Sequence, residues 1–443
     1  MRTQEAESKL GIDRVPIRLV HSCAWSLLCP LQPSVSLTSV FTFPGRIRNS
    51  GSDCPLNENE NKNFVSYPCL KKLPTEPVHL SKADNLRTVS YRELLPCSEI
   101  SRQTQQKKNS LLNAPTISRE RDTEKMVKKR VLVVGGTGYL GQHLLQGFSE
   151  IQGDPFDLAF TYHSNLPQAL LDAFPYLLAF HVDLKTGQGF EAISQTFGQP
   201  DVVVNCAALS APRACEMDPS AATSINVPSS LVTWLSNFKE TSTLLIQLST
   251  DQVYEGVKSF YKEEDETVPV NVYGESKVAA EKYVSEKCLN FAILRSSIIF
   301  GPQTISPVPK SLPIQWIDGV LSKGEKMEFF HDEFRCPVYV KDVVTIIQVL
   351  TSRWMSDAKQ MQLLLNVGGP DRVSRLQMAE AVAHIRGYDT SLIKPVSASL
   401  VDRGVKSPSD ISMNIDKLVQ TLNISPISFI DGVRLTLTTE AKS

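Results

Sequence analysis

The stretch Arg130-Val-Leu-Val-Val-Gly-Gly-Thr-Gly-Tyr-Leu-Gly141 constrains the fold more than any other part of the chain. Arg130–Val134 is a short β-branched run, which predicts a strand buried on both faces. It stops at Gly135-Gly136-Thr137-Gly138, where the backbone needs residues without a Cβ. From Tyr139 the apolar positions Leu140, Leu144, Leu145 and Phe148 recur at three- and four-residue steps, which predicts a helix. A strand, a glycine turn and a helix N-terminus form an anion site, because free backbone N–H groups and the positive end of the helix dipole meet there. Gly135 would make the tight turn, Gly138 admit a pyrophosphate and Gly141 let helix pack on strand. The residues expected to hold a dinucleotide are therefore Gly135, Thr137, Gly138, Tyr139, Leu140 and Gly141. Their spacing is G-x-x-G-x-x-G, not the commoner G-x-G-x-x-G.

Strands and helices alternate after this unit. Phe156–Thr161, Ala179–Leu184, Asp201–Ala208, Leu244–Thr250 and Phe291–Arg295 read as strands. Between them, 189–197 and 214–238 read as helices, and a further helix runs from Tyr273 to about Lys287. The alternation predicts an α/β fold with a doubly wound parallel sheet. Further on, Phe329–Val340 reads as a loop leading into a helix over Lys341–Leu350. Leu363–Pro370 reads as a strand and turn, and Ser374–Ile385 as an amphipathic helix.

The 443 residues leave room for two or three domains, and the 42% hydrophobic content supports a sizeable core. Met1 to about Lys125 sustains no period of two or 3.6 and is rich in Pro, Ser, Asn and Lys, so a disordered leader is expected there. The span Arg14–Ser52 has Arg and Ser but no acidic residue, which leaves organelle targeting as an alternative role. An extension ahead of a natural start at Met126 is favoured instead. A net charge of −1 gives no global reason to expect a nucleic-acid partner. No apolar run is long enough for a membrane-spanning helix. The nine cysteines include no C-x-x-C pair, which argues against a disulfide framework or zinc site and fits a reducing, cytoplasmic setting. No His/Cys/carboxylate cluster has metal-ligand spacing.

Two features carry chemistry. Ser249-Thr250-Asp251 closes the fifth predicted strand at its carboxyl end, where ligands bind in open parallel sheets. Tyr273-Gly-Glu-Ser-Lys277 follows at the start of a helix, and the i,i+4 spacing sets Tyr273 and Lys277 on one face. An ammonium beside a phenol is expected to lower the phenol pKa and make it a usable proton donor and acceptor. The Thr250 hydroxyl could bind the same substrate oxygen. Y-x-x-x-K alone is weak, since it recurs at Tyr67/Lys71 and Tyr283/Lys287. The ordered set of glycine loop, Ser-Thr-Asp and Tyr/Lys points to carbonyl reduction with a nicotinamide. At the end of the second strand, Thr161-Tyr-His-Ser164 offers no carboxylate to an adenine ribose, which leans towards NADP(H) over NAD(H). His163 is the candidate contact for a 2′-phosphate there.

With these motifs the chain resembles an extended short-chain dehydrogenase/reductase. Within that superfamily it is similar to the branch shared by dTDP-4-dehydrorhamnose reductase and the regulatory beta subunit of methionine adenosyltransferase. The matching segments are Gly135–Gly141, Asn205–Ala208, Leu248–Tyr254, Pro269–Lys277, Leu294-Arg295 with Phe300–Pro302, and Pro337–Val343. The resemblance covers about Val127 to Leu437. It implies a Rossmann-type sheet (126–302) with a small, partly interleaved C-terminal substrate lobe (303–437) and a short tail (438–443). It implies Thr250, Tyr273 and Lys277 as a catalytic triad, Asp183 and Leu184 beside the adenine, and Ala207 and Ala208 along the cofactor cleft. Asp251 and Arg335 are the candidate substrate contacts, Arg335 because its planar fork suits phosphate or carboxylate. Where the family often carries Arg-Pro, this chain has Ser407-Pro408. The resemblance implies either a reductase of a nucleotide-linked 4-keto-6-deoxy sugar, or an NADP-binding subunit that docks on a methionine adenosyltransferase catalytic subunit. A homodimer is compatible with both.

Overall fold

The computed structural model describes residues 128–153, 155–238, 243–357 and 359–440. The leader, its five cysteines and its targeting or extension role lie outside the described residues. The first described strand is β1 (Lys129–Val134), followed by helix α1 (Tyr139–Ser149) and β2 (Phe156–Tyr162). Next come α2 (Gln168–Ala173), β3 (Leu178–His181), α3 (Phe190–Thr196) and β4 (Val202–Asn205). After them run α4 (Pro212–Met217), α5 (Pro219–Asn226), α6 (Ser229–Ser236), β5 (Leu244–Thr250), α7 (Val272–Lys287) and β6 (Phe291–Ser296).

Six strands and a seventh, Gln362–Val367, form one sheet. Its order is Gln362–Val367, β6, β5, β4, β1, β2, β3, and every pair is parallel. β1 pairs with β2 through Val131↔Leu158 and with β4 through Val131↔Val202. The strand order therefore reverses on either side of β1, which opens a crevice at its carboxyl end. The glycine loop leaves β1 at that crevice. This is the doubly wound Rossmann-type sheet that the alternation predicts.

Sheet strands such as β5 are buried along their whole length, because helices cover both faces. On one face Leu144, Leu145 and Phe148 of α1 pack with Val343, Ile346, Ile347 and Leu350 of the helix Val340–Asp357. Gly147 permits that approach, since a Cβ there would sit 2.5 Å from Val344 Cγ1. On the other face Ile193 of α3, Leu231 and Trp234 of α6 and Val284 of α7 cover the sheet. Each fully buried Leu, Ile or Phe contributes about 1.5–3 kcal/mol. A third cluster lies in the C-terminal part, where Ile314 and Ile317 meet Phe329, Met378, Val382 and Val433.

Four local expectations are corrected. The helix expected over 214–238 is three helices, because Pro219 and Pro228 each interrupt it. Asp218 caps the second piece, its side chain accepting from Ala221 N at 2.8 Å. β3 ends at His181 and β4 at Asn205, so Asp183, Leu184, Ala207 and Ala208 sit in the loops that follow. Phe329–Val340 is not a loop: it contains part of the strand Met327–Phe330 and the strands Phe334–Arg335 and Val338–Tyr339. The helix expected to stop at Leu350 continues to Asp357. Across the two halves, the helix Val340–Asp357 and the strand Gln362–Val367 complete the sheet begun by residues 129–296.

Candidate active site

The glycine loop takes its shape from three close approaches. Gly135 has φ +84, and a Cβ on it would lie 3.0 Å from the backbone of Ala207. A Cβ on Gly141 would lie 2.3 Å from Gly135 O, so helix α1 folds directly onto the turn. Gly136, which the sequence argument gave no role, meets Phe160 of β2 at 2.5 Å in the same sense. The loop is tied to β2: Gly135 N donates to Thr161 Oγ1 (3.1 Å) and Gly136 N to Thr161 O (2.9 Å). Helix α1 begins at Gly138 without a side-chain cap, and its first turn holds no acidic residue. Uncapped N–H groups, a positive dipole end and a cradle that a Cβ would fill fit a dinucleotide pyrophosphate. Leu140 is buried beneath the turn, and Tyr139 donates from its hydroxyl to Pro302 O (3.1 Å).

Gln142 is a residue the sequence argument missed. It is 2% exposed. Its Nε2 donates to Thr137 O (3.0 Å) and Ser306 O (2.9 Å), while its Oε1 accepts from Ser306 N (2.9 Å). One side chain thus holds the glycine loop to the 304–306 segment. Nothing in the helical period marks it, because its partners lie far along the chain.

At the adenine end, Asp183 folds into its own turn, accepting from Lys185 N (2.9 Å) and Thr186 Oγ1 (3.0 Å). Those bonds, the Lys185 one foremost, hold its carboxyl below the ordinary range. Leu184 O accepts from Ser230 Oγ of α6 at 2.5 Å. His163 lies beside Asp183 at the end of β2, with its Nδ1 3.0 Å from Ser164 Oγ. Ala207 and Ala208 are half-buried beyond β4, and Ala207 N donates to Asn205 Oδ1 (3.3 Å).

The structure brings Thr250, Tyr273 and Lys277 together. Thr250 ends β5, and its hydroxyl lies near enough to the Tyr273 side chain to influence that phenol. Helix α7 starts at Asn271, whose side chain accepts from Gly274 N (2.9 Å) and donates to Gln252 Oε1 (2.9 Å). Gly274 lets the helix meet the strand end, since a Cβ there would lie 2.3 Å from Gln252 O. Lys277 is 2% exposed and donates from Nζ to Leu248 O at 2.7 Å.

The electrostatics correct one expectation. Lys277 does not lower the Tyr273 pKa. Burial pushes the phenol above its ordinary value, the Thr250 hydroxyl draws it down, and the Asp251 and Cys215 groups push it up again. Tyr273 is therefore held as the protonated donor at neutral pH. Lys277 itself is lowered to about 8 by burial, against the pull of Glu281. Glu281 lies one turn further along α7, is buried, and takes a two-pronged contact from Arg295 (Nη2–Oε2 2.7 Å, Nε–Oε1 3.0 Å) and a short bond from Ser249 Oγ (2.5 Å). Its i,i+4 spacing from Lys277 was a usable signal in the sequence.

Around Asp251, next in sequence to Thr250, cationic side chains gather. Asp251 is buried, accepts from Ser297 Oγ (2.9 Å) and Thr250 Oγ1 (3.2 Å), and burial raises its pKa while Arg335 and Arg375 oppose the rise. Arg335 is turned into its own loop: it donates to Phe334 O (2.7 Å), Pro408 O (2.9 Å), Ser409 O (3.3 Å) and Ser407 Oγ (3.2 Å). Its fork thus holds the segment that carries Ser407-Pro408. Arg375, which the sequence did not single out, is pushed down to about 10 by burial and by Arg335. Lys310 is exposed, donates to Ser210 Oγ (3.3 Å), and is lowered from its ordinary value by desolvation and by Arg375. Arg403 pairs with Glu333; burial alone would raise that carboxyl, but Arg403 and Arg335 hold it below its usual value. Trp316 packs edge-on against Phe329, with ring centroids 5.8 Å apart. Among the described residues, no group of three or more His, Cys, Asp or Glu could hold a metal ion, and no helix is long and apolar enough to cross a membrane.

The chain is 29% identical over 296 residues to methionine adenosyltransferase 2 subunit beta of Pongo abelii, covering 67% of this chain and 83% of that protein. It is 27% identical over 236 residues to the probable low-salt glycan biosynthesis reductase Agl14 of Haloferax volcanii, covering 53% of this chain and 75% of that one. The fold matches the crystal structure of dTDP-4-dehydrorhamnose reductase from Bacillus anthracis in complex with NADP. That match has a TM-score of 0.58 and 19% identity, and covers 71% of this chain and all of the other. The model of the RmlD substrate binding domain family matches residues 129–441, nearly all that the structure describes, and the chain belongs to that family.

Proposed function

We propose that the protein is an NADPH-dependent reductase of a keto group on a nucleotide-linked 6-deoxy sugar. The observation that carries this reading is the meeting of the Thr250 hydroxyl, at the carboxyl end of β5, with the buried Tyr273 phenol on the helix that also carries buried Lys277. NADPH would lie with its pyrophosphate on Gly135, Thr137, Gly138, Tyr139, Leu140 and Gly141, and with its adenosine near His163, Asp183 and Leu184. Its nicotinamide end would pass Ala207 and Ala208. The dinucleotide supplies hydride to the carbonyl carbon. Thr250 orients the keto oxygen and steadies its growing charge. Tyr273 holds a proton at its Oη and delivers it to that oxygen as the alkoxide forms. Lys277 binds the nicotinamide ribose and adds positive charge near the reacting oxygen. Arg375 and Lys310 favour a substrate bearing phosphate.

A second reading is favoured by one observation, the similarity to a methionine adenosyltransferase subunit over 83% of that relative's length. On that reading the same fold binds NADP(H) and docks on a methionine adenosyltransferase catalytic subunit.

The test follows NADPH absorbance with the full-length chain and a dTDP-4-keto-6-deoxy sugar, after binding of NADPH has been measured by calorimetry. Turnover is expected. Tight NADPH binding without turnover would sink the reductase reading, and a pull-down with methionine adenosyltransferase would then test the other.

A further inference from the structure

Lys277 and Glu281 lie one turn apart on α7, the spacing at which side chains of opposite charge can close on each other. Both are buried, so solvent would screen an ion pair between them only weakly. Yet each is engaged elsewhere. Lys277 Nζ donates to the backbone oxygen of Leu248 (2.7 Å), and Glu281 Oε1 accepts from Oγ of the next residue in β5, Ser249 (2.5 Å). Arg295 of β6 takes the rest of the carboxylate, its Nε lying 3.0 Å from Oε1 and its Nη2 2.7 Å from Oε2. The guanidinium is anchored on its far side, where Nη1 donates to Tyr254 Oη (2.9 Å) and Glu263 O (3.1 Å). Tyr254 in turn donates to Asn366 Oδ1 (2.8 Å) in the strand Gln362–Val367. The fork is therefore fixed from β6 and from the neighbouring strand before it meets Glu281.

We propose that Arg295 is a positioning residue of the site: with Ser249 it holds both oxygens of Glu281 away from Lys277, so that the ammonium keeps its remaining N–H groups for a ligand instead of closing on the carboxylate. The proposal rests on the reading above that Lys277 serves a dinucleotide, and it names what governs that lysine. Lys277, Glu281 and Arg295 form a row of alternating charge in which the middle carboxylate is shared unequally. The Arg295 side is the stronger, because two N–H bonds of one planar fork meet both oxygens. Around Lys277 stand Glu281 and Tyr273 on α7 itself, Cys206 beyond β4 and Cys215 on α4. Burial holds both thiols and the Tyr273 phenol above their ordinary values, so they are neutral at neutral pH. Glu281 is the neighbour whose charge weighs most on Lys277, against the burial that brings the amine down to about 8. Release of Glu281 towards Lys277 favours the charged amine and moves its titration up. Removal of Glu281 leaves Lys277 facing desolvation and the Arg295 charge, and moves it down.

The experiment titrates the Lys277 amine directly, by NMR of the full-length chain carrying isotope-labelled lysine, with the resonance assigned by its loss in Lys277→Arg. Arg295→Gln is expected to raise the Lys277 midpoint by about one unit or more, and Glu281→Gln to lower it by about as much. In the double variant the rise is expected to vanish, since no carboxylate is left to release. A rise that persists there comes from water entering the site and overturns the proposal, as does a raised midpoint in Glu281→Gln alone. Arg295→Lys is expected to restore part of the wild-type midpoint, because a point charge replaces only part of the fork. Ser249→Ala leaves the buried pair in place and is expected to give a smaller rise. Where Arg295→Gln folds, an unchanged midpoint overturns the proposal; where it does not, an unchanged midpoint in Ser249→Ala does. NADPH affinity, by calorimetry, is expected to fall by about tenfold in Arg295→Gln, the loss of one hydrogen bond from a charged donor. The titration needs no turnover, so these shifts without any reduction of a keto sugar overturn the reductase reading and leave this one standing.

Discussion

On the glycine-loop side of the cleft the working atoms are backbone: uncapped N–H groups of α1 and carbonyls that meet glycine Cα atoms. Around Asp251 and Glu333 they are side-chain charges: Arg335, Arg375, Arg403 and Lys310 set against those two carboxyls. The first side is a shape. It is fixed by where a Cβ cannot be, and it would suit any dinucleotide pyrophosphate. The second side is a charge distribution, and its selectivity depends on which fork is spent on the protein and which faces the cleft. Arg335 is spent on the 407–409 loop. Thr250 and Tyr273 belong to neither: they are polar groups placed by a strand end and a helix start.

Perturbing the triad should give the largest effect. Tyr273→Phe is expected to lower turnover by about 100-fold to 10,000-fold while leaving NADPH affinity nearly unchanged, read by single-turnover kinetics and calorimetry. A matching loss of affinity would show that the hydroxyl serves the cofactor side instead. Next in size is Arg295→Ala, which strands buried Glu281 without its partner. It should cost about 3–5 kcal/mol by chemical denaturation. A cost under about 1 kcal/mol would mean that Ser249 alone suffices to hold Glu281. Gly141→Ala should cost about 1–3 kcal/mol, since α1 must move off the turn, and should weaken both dinucleotides alike. An effect on stability without one on binding would separate the loop's shape from its role as a cradle. Smallest is the pH effect at Lys277. Its ammonium, lowered to about 8, is charged below that value and lost above it, so turnover should halve near pH 8 and keep falling. Tyr273, with its pKa raised, keeps its proton across that window. A flat profile up to pH 9 would remove the ammonium from the rate-limiting step.

The same contrast explains what could be read from the sequence. The loop was legible because its constraint is local: Gly135, Gly138 and Gly141 report their geometry within seven residues. The sheet was legible because a parallel strand covered on both faces must be apolar throughout, as β5 is. The three-part helix over 212–236 was missed because its apolar period runs through Pro219 and Pro228, and the prolines outweigh the period. The proximity of Tyr273 to Thr250 was legible as a motif. The raised phenol pKa was not, since it depends on burial and on where Lys277 Nζ points, towards Leu248 O. The lobe wall was least legible. Glu333, Arg375 and Arg403 come from separate segments, and no local pattern marks their meeting.

The Gln142 carboxamide has one further consequence. Its nitrogen faces two carbonyls, Thr137 O and Ser306 O, and its oxygen faces one N–H, that of Ser306. The group can be seated in one orientation alone, because a half-turn would set oxygen against oxygen twice. A glutamate at this position would fill the same volume and yet present a carboxylate to both carbonyls while buried. The joint between the nucleotide loop and the 304–306 segment thus depends on the identity of a single atom, nitrogen rather than oxygen, at the tip of one side chain.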